Sequence, residues 1–256
     1  MKTANKTLLW TLTLLLSLSS VACNRENGPN IIHNAVKDVE GNEYDAVQIG
    51  SQIWMRTNLR TKHFRDGNEI SFYNYLEFAG TNFGSTSGCS SINGVGYSPF
   101  AVVDPRGLCP KGWHVPSVED WEVLENYVSK RSDWCYNGNP KAIAKALASP
   151  YGWDRNRSIG TPGCFPSDNN ASGFCAEPIS QIGVEPGYNA YFWTSTTDDS
   201  SANHVLYDCY CPPLILKCIH SSSKELKTLA FPYLVYRSYY QGFDFPPIPV
   251  RCIRDE

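Results

Sequence analysis

The first 23 residues decide what chemistry is open to the rest of the chain. Lys2 and Lys6 precede an apolar run from Leu8 to Leu18, and Ser20-Val21-Ala22 leads into Cys23. A charged start, an apolar stretch too short to cross a bilayer and a small-residue cleavage site together predict an export signal. The chain carries 10 cysteines. In a reducing compartment so many would point to metal or redox work; outside the cytoplasm they point to disulfides.

Cys23 follows the small residues directly, as in a bacterial lipobox, although Ser20 stands where Leu is commoner. The pattern predicts that Cys23 becomes the lipidated first residue of an outer-membrane lipoprotein, facing the periplasm or the cell surface. Cleavage nearby by an ordinary signal peptidase is the alternative. Residues 1–22 are then the signal peptide and 23–35 a lipidated tether, rich in turn formers from Asn24 to Asn30. The tether holds one acid, Glu26, and shows no surface-export signal. Residues 36–256 form a single domain, and the lipid bilayer is its first expected partner. Loss of residues 1–22 removes two lysines and no acid, taking the net charge from −3 to −5. With no basic excess, nucleic acid is excluded as a partner. The 33 aromatic residues (7 Trp, 15 Tyr, 11 Phe) exclude a disordered chain.

The clearest element is a helix opening at Ser117. Its hydroxyl caps the first turn, Glu119 and Asp120 sit where the helix dipole favours acids, and Trp121, Leu124 and Val128 form one apolar stripe. A second short helix is expected from Pro140 to Ala148, with Ile143, Ala144 and Leu147 inward and Pro150 as its stop. Short strands are expected at Val36–Val39, Tyr44–Ile49 and Gln52–Met55, around the turns Gly41-Asn42 and Gly50-Ser51. Others are expected at Tyr191–Thr196, Val205–Tyr207, Leu214–Ile219, Leu234–Tyr239 and Val250–Ile253. Residues 61–100 read as polar and weakly periodic, with Thr81–Gly88 an exposed loop. The fold class is therefore α+β: a compact, loop-rich domain with two short helices among many short antiparallel strands.

Three groups of segments carry a resemblance. The first is Asp38-Val39-Glu40-Gly41-Asn42-Glu43-Tyr44, followed by Val47–Met55 and Asn58-Leu59. The second is Gly107-Leu108-Cys109-Pro110-Lys111-Gly112-Trp113-His114-Val115-Pro116-Ser117, running on to Trp121. The third is Ser172-Gly173-Phe174, Ala190–Thr196 and Val250-Arg251-Cys252-Ile253-Arg254-Asp255. In this order they resemble the Fibrobacter succinogenes major paralogous domain, a family of exported bacterial proteins. The Gly-Trp turn before an acidic helix and the closing Arg-Cys strand are also similar to C-type-lectin-like folds and to the formylglycine-generating, sulfatase-modifying family. The resemblance implies a C-type-lectin-like α+β domain whose two ends meet in one sheet, and by that analogy a disulfide between Cys109 and Cys252. It implies little biochemistry, because activity on such folds lives in variable loops. The chain departs from the family pattern at Cys164, Cys175, Cys209, Cys211 and Cys218.

Nine cysteines remain once Cys23 is lipidated, so at least one stays unpaired or pairs with another chain. A zinc site is the competing reading. His204, Cys209, Cys211, Cys218 and His220 fall within 17 residues and mix thiolate with imidazole, but Cys-x-Cys lacks the usual knuckle spacing.

No metalloprotease, P-loop, dinucleotide-binding or nucleophile-elbow motif occurs. Glu119, Asp120, Glu122 and Glu125 offer carboxylates for glycoside hydrolysis, but acids at a helix start more often serve as capping charges. His114 reads as a hydrogen-bonded structural residue rather than a base. Binding is the better-supported class. Tyr151, Trp153, Asp154, Asp168 and Asn170 combine aromatic faces with acid and amide groups, which is how proteins hold sugars. The same acids supply oxygen ligands for calcium. Trp153-Asp154 and Glu185-Pro186-Gly187 only partly echo lectin calcium motifs, each lacking the expected Asn. Tyr191 and Trp193 instead alternate as core residues of a strand. The expected role is adhesion, or recognition of an extracellular glycan or surface protein. An envelope structural subunit, for example in an adhesive appendage, is the second reading and an enzyme the third.

Overall fold

The computed structural model describes residues 28–71, 75–78, 94–178, 187–198, 205–206, 209–210, 213–230 and 248–256. Its main sheet gathers both ends of the chain. Strands β1 (Asn30–Lys37), β2 (Glu43–Ile49) and β3 (Gln52–Met55) form a meander. The last strand, β13 (Ile253–Arg254), inserts between β3 and β6 (Trp113–His114), giving the order β1-β2-β3-β13-β6. A second sheet has the order β11-β10-β7, from β7 (Asn189–Thr197), β10 (Leu214–His220) and β11 (Leu226–Ala230). A third has the order β12-β5-β4, from β4 (Tyr75–Phe78), β5 (Gly94–Tyr97) and β12 (Ile248–Pro249). A small hairpin joins β8 (Val205–Leu206) to β9 (Cys209–Tyr210).

Alternation along the strands explains why the core has two halves. Successive side chains point to opposite faces. Tyr44 and Ala46 of β2, Ile53 and Met55 of β3, and Tyr191 and Trp193 of β7 enter one buried cluster. Their neighbours Val47 and Ile49, Trp54, and Ala190 and Phe192 enter the other. Strands β2, β3 and β7 therefore bury side chains on both faces, while the edge strands β1 and β11 are exposed or half-buried throughout. Helix α2 (Val118–Ser129) covers the second cluster with Trp121, Leu124 and Val128, the stripe expected from its spacing. Ser117 and Asp120 close a reciprocal capping box at its start.

Several elements differ from the sequence reading for identifiable reasons. Strand β1 begins at Asn30, inside the 23–35 stretch expected to be a tether. Its pairing with β2, interrupted at Asn34 by a left-handed residue (φ 49°), holds a stretch that has little strand propensity of its own. The second helix shrinks from 140–148 to α3 (Ala144–Leu147), because Pro140 and Lys141 form a turn and Ala142 and Ile143 are irregular. Residues 61–100 are not all loop: they contribute β4, β5 and the start of α1 (Pro99–Val102), which Ser98 caps. That makes three α-helices among the described residues. The expected strand 250–253 is instead a break between β12 and β13, and only Ile253 of it is strand, which leaves the two split. The Leu234–Tyr239 strand and the Thr81–Gly88 loop lie outside the described residues.

The split is caused by Arg251, which is 1% exposed. Its Nε and Nη2 donate to Asn58 Oδ1 at 3.1 and 2.8 Å, and its Nη1 donates to the Phe174 carbonyl. The guanidinium also lies 4.6 Å from the Phe174 ring centre and 5.1 Å from that of Phe192. Phe174 and Phe192 in turn pack edge-on, and both lie 5.5 Å from Trp121. Gly173 is required here: its φ is +78°, and a Cβ would stand 2.3 Å from Pro29 Cβ. Next to Arg251, Cys252 is bonded to Cys109, the pairing the resemblance implies.

Replacing Arg251 by Ala strands two buried acceptors and is expected to cost about 3 kcal/mol of stability. Arg251→Lys should recover only part of that, since an ammonium cannot span both acceptors. Urea unfolding of the three proteins measures the difference; equal midpoints would remove Arg251 from this role.

Candidate functional site

Between α3 and residue 178 the chain is mostly loop, with one 3-10 turn at Pro166–Asp168, and two side chains hold much of it. Asn156 is the hub of its first half. Its Nδ2 donates to the Ser221 carbonyl at 2.8 Å, and its Oδ1 accepts from Ser158 N (2.9 Å) and Thr161 Oγ1 (3.1 Å). Gly163 passes so close that a Cβ would meet Asn156 Nδ2 and the Asp154 carbonyl at 2.2 Å. Lys145 of α3 holds the second half, its ammonium donating to the carbonyls of Cys164 (2.8 Å) and Phe165 (2.9 Å) and to Asn169 Oδ1 (2.8 Å). Desolvation pulls the Lys145 ammonium below the ordinary lysine range, with the Asp168 charge opposing it.

The two halves enclose a cleft of about 660 Å³, lined by Pro150, Tyr151, Gly152, Trp153, Arg155, Asn156, Gly163, Phe165, Pro166 and Ser167. Phe165 is the unusual member. Its backbone is left-handed (φ 52°, ψ 68°), a conformation an aromatic residue rarely adopts, and its side chain is 69% exposed. Trp153 contributes an edge only: it is 5% exposed, and its Nε1 donates to Ser149 Oγ at 3.1 Å. Tyr151 donates its hydroxyl proton to Glu177 Oε1 at 2.7 Å. Arg155 is exposed and makes no ion pair or hydrogen bond among the described residues.

Of the five residues expected to bind, Tyr151 and Trp153 line this cleft; Asp154, Asp168 and Asn170 do not. Asp154 lies in the wall, with its amide donating to the Gly187 carbonyl. Asp168 is exposed in the 3-10 turn Pro166–Asp168. Asn170 is turned inward, its Oδ1 accepting from Cys175 N at 2.8 Å. No three His, Cys, Asp or Glu side chains converge on a metal among the described residues, so the acids do not assemble a calcium site there. Sequence reasoning missed Arg155 and Phe165. Arg155 sits one residue from Asp154 in a polar run, and nothing in the sequence announces that Phe165 is strained outward.

The zinc reading fares no better where it can be followed. Side chains of His204, Cys209 and Cys211 lie outside the described residues. Cys218 is buried and donates to Asn189 Oδ1 at 3.6 Å, while His220 Nδ1 faces Ser222 at 2.9 Å. Burial pushes the Cys218 thiol up to about 12, the opposite of an activated thiolate. Cys135 is likewise buried, donating toward the carbonyls of Val128 and Ser129 at the end of α2.

Two acids of α2, Asp120 and Glu125, are held in structural contacts, while Glu119 and Glu122 are exposed. Asp120 accepts from Ser117 N and Oγ, and Glu125 pairs at 2.6 Å with the buried Lys217 ammonium of β10. His114 bridges two acids, Asp255 at 2.7 Å and Asp120 at 3.3 Å, joining the C-terminus to the helix start. Its hydrogen bond to Asp120 raises the imidazole above the ordinary histidine range, and the same bond lowers Asp120.

An α+β domain of small antiparallel sheets, closed by its own two ends around a disulfide and a buried Arg, is the class of protein these features define. The chain belongs to the Fibrobacter succinogenes major domain family, whose model matches residues 47–254. Comparison with curated proteins and with solved structures gives no match.

Two measurements follow. Because the folded His114 pKa is raised, its contribution is complete below about pH 6.5 and fades as pH rises through the folded value. Asp120, lowered, contributes above about pH 3.9 and fades as pH falls through its own folded value. His114→Gln should therefore lower Tm most between about pH 4 and 6.5, and a gap constant to pH 9 would contradict the clasp. At the cleft, Phe165→Gly should leave stability within about 1 kcal/mol of wild type, because it releases left-handed strain and loses little packing. Lys145→Met should cost about 2 kcal/mol by removing three charge-assisted bonds. Denaturant titration of both variants checks the pair.

Proposed function

We propose that the protein is a lipoprotein of the bacterial outer membrane, anchored through Cys23, whose domain recognises a glycan through the Tyr151–Phe165 cleft without catalysing its conversion. The observation that carries this reading is the pairing of a 660 Å³ cleft with an aromatic ring held outward at its rim. Sugars are bound by stacking their apolar faces on such rings while nearby polar groups take the hydroxyls. The likeness of the sequence pattern to C-type-lectin-like folds agrees with this use of a loop region. The export signal and the cysteine after it support the anchor, and among the described residues no helix is long and apolar enough to cross a membrane.

Two measurements test the proposal. Cells fed a labelled fatty acid should incorporate it into the protein, and Cys23→Ser should abolish both the label and recovery with membranes. Purified mature protein on a glycan array should give hits that persist in EDTA and fall on Phe165→Ala. An array blank under both conditions, with the protein copurifying in a defined assembly, would replace recognition by the structural-subunit reading.

A further inference from the structure

We propose that the ligand of the cleft is an acidic sugar, with Arg155 taking the carboxylate of a uronic acid and Phe165 stacking on its ring. This rests on the glycan reading above and narrows it. Among the described residues of the lining Arg155 alone carries a formal charge, in a chain whose net charge is negative. Its guanidinium is exposed and is not spent on any ion pair or hydrogen bond among the described residues. Two other arginines beside acids are paired: Arg106 with Asp104 at 2.7 Å, and Arg131 with Asp133 at 3.3 Å. Arg155 adjoins Asp154 and leaves it alone.

The other polar groups of the cleft are largely committed. Asn156 uses its amide and its carbonyl oxygen on its own loop, and Ser167 Oγ faces Asp168 Oδ1 at 3.3 Å. Recognition of ring hydroxyls is thus thin, and the fork of the guanidinium is the strongest directional contact the cleft can offer. A planar carboxylate matches that fork with two parallel hydrogen bonds. Phe165 sits in the same lining, and Lys145 holds its carbonyl, so the backbone that presents the ring is positioned before any ligand arrives. Such placement lowers the entropy lost on binding.

The test uses the mature chain and oligosaccharides of galacturonic, glucuronic and mannuronic acid, each also as its methyl ester, which keeps the ring and removes the charge. Calorimetry should find an acid form that binds at least about tenfold more tightly than its ester, with the advantage shrinking at high salt. Arg155→Gln should erase the difference between acid and ester, and Phe165→Ala should weaken both. Both residues are exposed, and circular dichroism verifies that the variants fold. Equal binding of acid and ester, or an acid preference that survives Arg155→Gln, overturns the acidic-sugar assignment while the glycan reading stands. Failure of every sugar, acidic or neutral, overturns both.

Discussion

A guanidinium sealed inside a protein must find acceptors for its N–H groups, or its burial costs more than the packing around it returns. Arg251 finds them on segments that are remote in sequence: Asn58 lies 193 residues before it and Phe174 lies 77 before it. The rest of the frame follows from meeting that demand. The Asn58 turn must come up beside the C-terminal segment, and the Leu59 amide donates to the Val250 carbonyl at 2.8 Å. Gly173 must pass against Pro29 and Val47 so that the Phe174 ring can lie under the cation. Trp54 and Trp121, 4.9 Å apart, then pack around the same rings and fix helix α2 over the main sheet. Cys252, the next residue, adds a covalent tie to Cys109. By the loop-entropy argument, closing so long a loop contributes on the order of 4–5 kcal/mol.

The same demand explains which parts of the structure were legible in the sequence. Helix α2 was readable because its information is local: a capping Ser, two acids and a 3.6-residue stripe lie within twelve positions. Strand β7 was readable because it joins the aromatic run Tyr191-Phe192-Trp193 to β-branched threonines, and its middle is buried on both faces. The segment 250–253 misled because its propensity is that of a strand, while Arg251 and Cys252 have obligations that break the ladder. Asn30 to Ala35 misled in the other direction, since only their pairing with β2 makes them a strand. At the cleft, Tyr151 and Trp153 were visible as aromatics in a polar run. Phe165 was not, because its left-handed backbone is imposed by Lys145 from another element, a contact with no trace in local pattern.

Cysteine count is the clearest case of a sound prior meeting a particular structure. Export argues for a disulfide frame, and among the described residues one disulfide is present, joining segments 143 residues apart. Cys135, Cys164 and Cys218 instead behave as small apolar side chains with a weak donor, each buried. Burial raises the thiol pKa of Cys135 and of Cys218, so the reactive thiolate is scarce at neutral pH. A thiol that is rarely ionised and seldom meets solvent can stay reduced where an exposed one would not. Oxidising surroundings therefore constrain exposed cysteines more strongly than buried ones, and an odd count loses its force as a sign of an intermolecular bond.

The division between frame and cleft also accounts for why family membership leaves the ligand unnamed. The segments that carry the family pattern end at Trp121 and resume at Ser172, and several of their polar side chains are committed to the fold's own contacts. Asp38 accepts from Glu40 N, Asn42 N and Nδ2 and Tyr44 Oη; Ser172 Oγ donates to the Ala146 carbonyl; His114 clasps Asp120 and Asp255. The cleft lies between those blocks, on residues 150–167, and hangs from the frame at few points: Lys145 on α3, Ser221 after β10 and Gly187 before β7. A loop attached in this way can change its exposed residues without disturbing the Arg251 centre, provided that Asn156, Gly163 and Lys145 keep their geometry. Those three residues bear the structural burden of the site, while Arg155 and Phe165 are left for ligand chemistry. Frame and specificity are thus carried by different atoms.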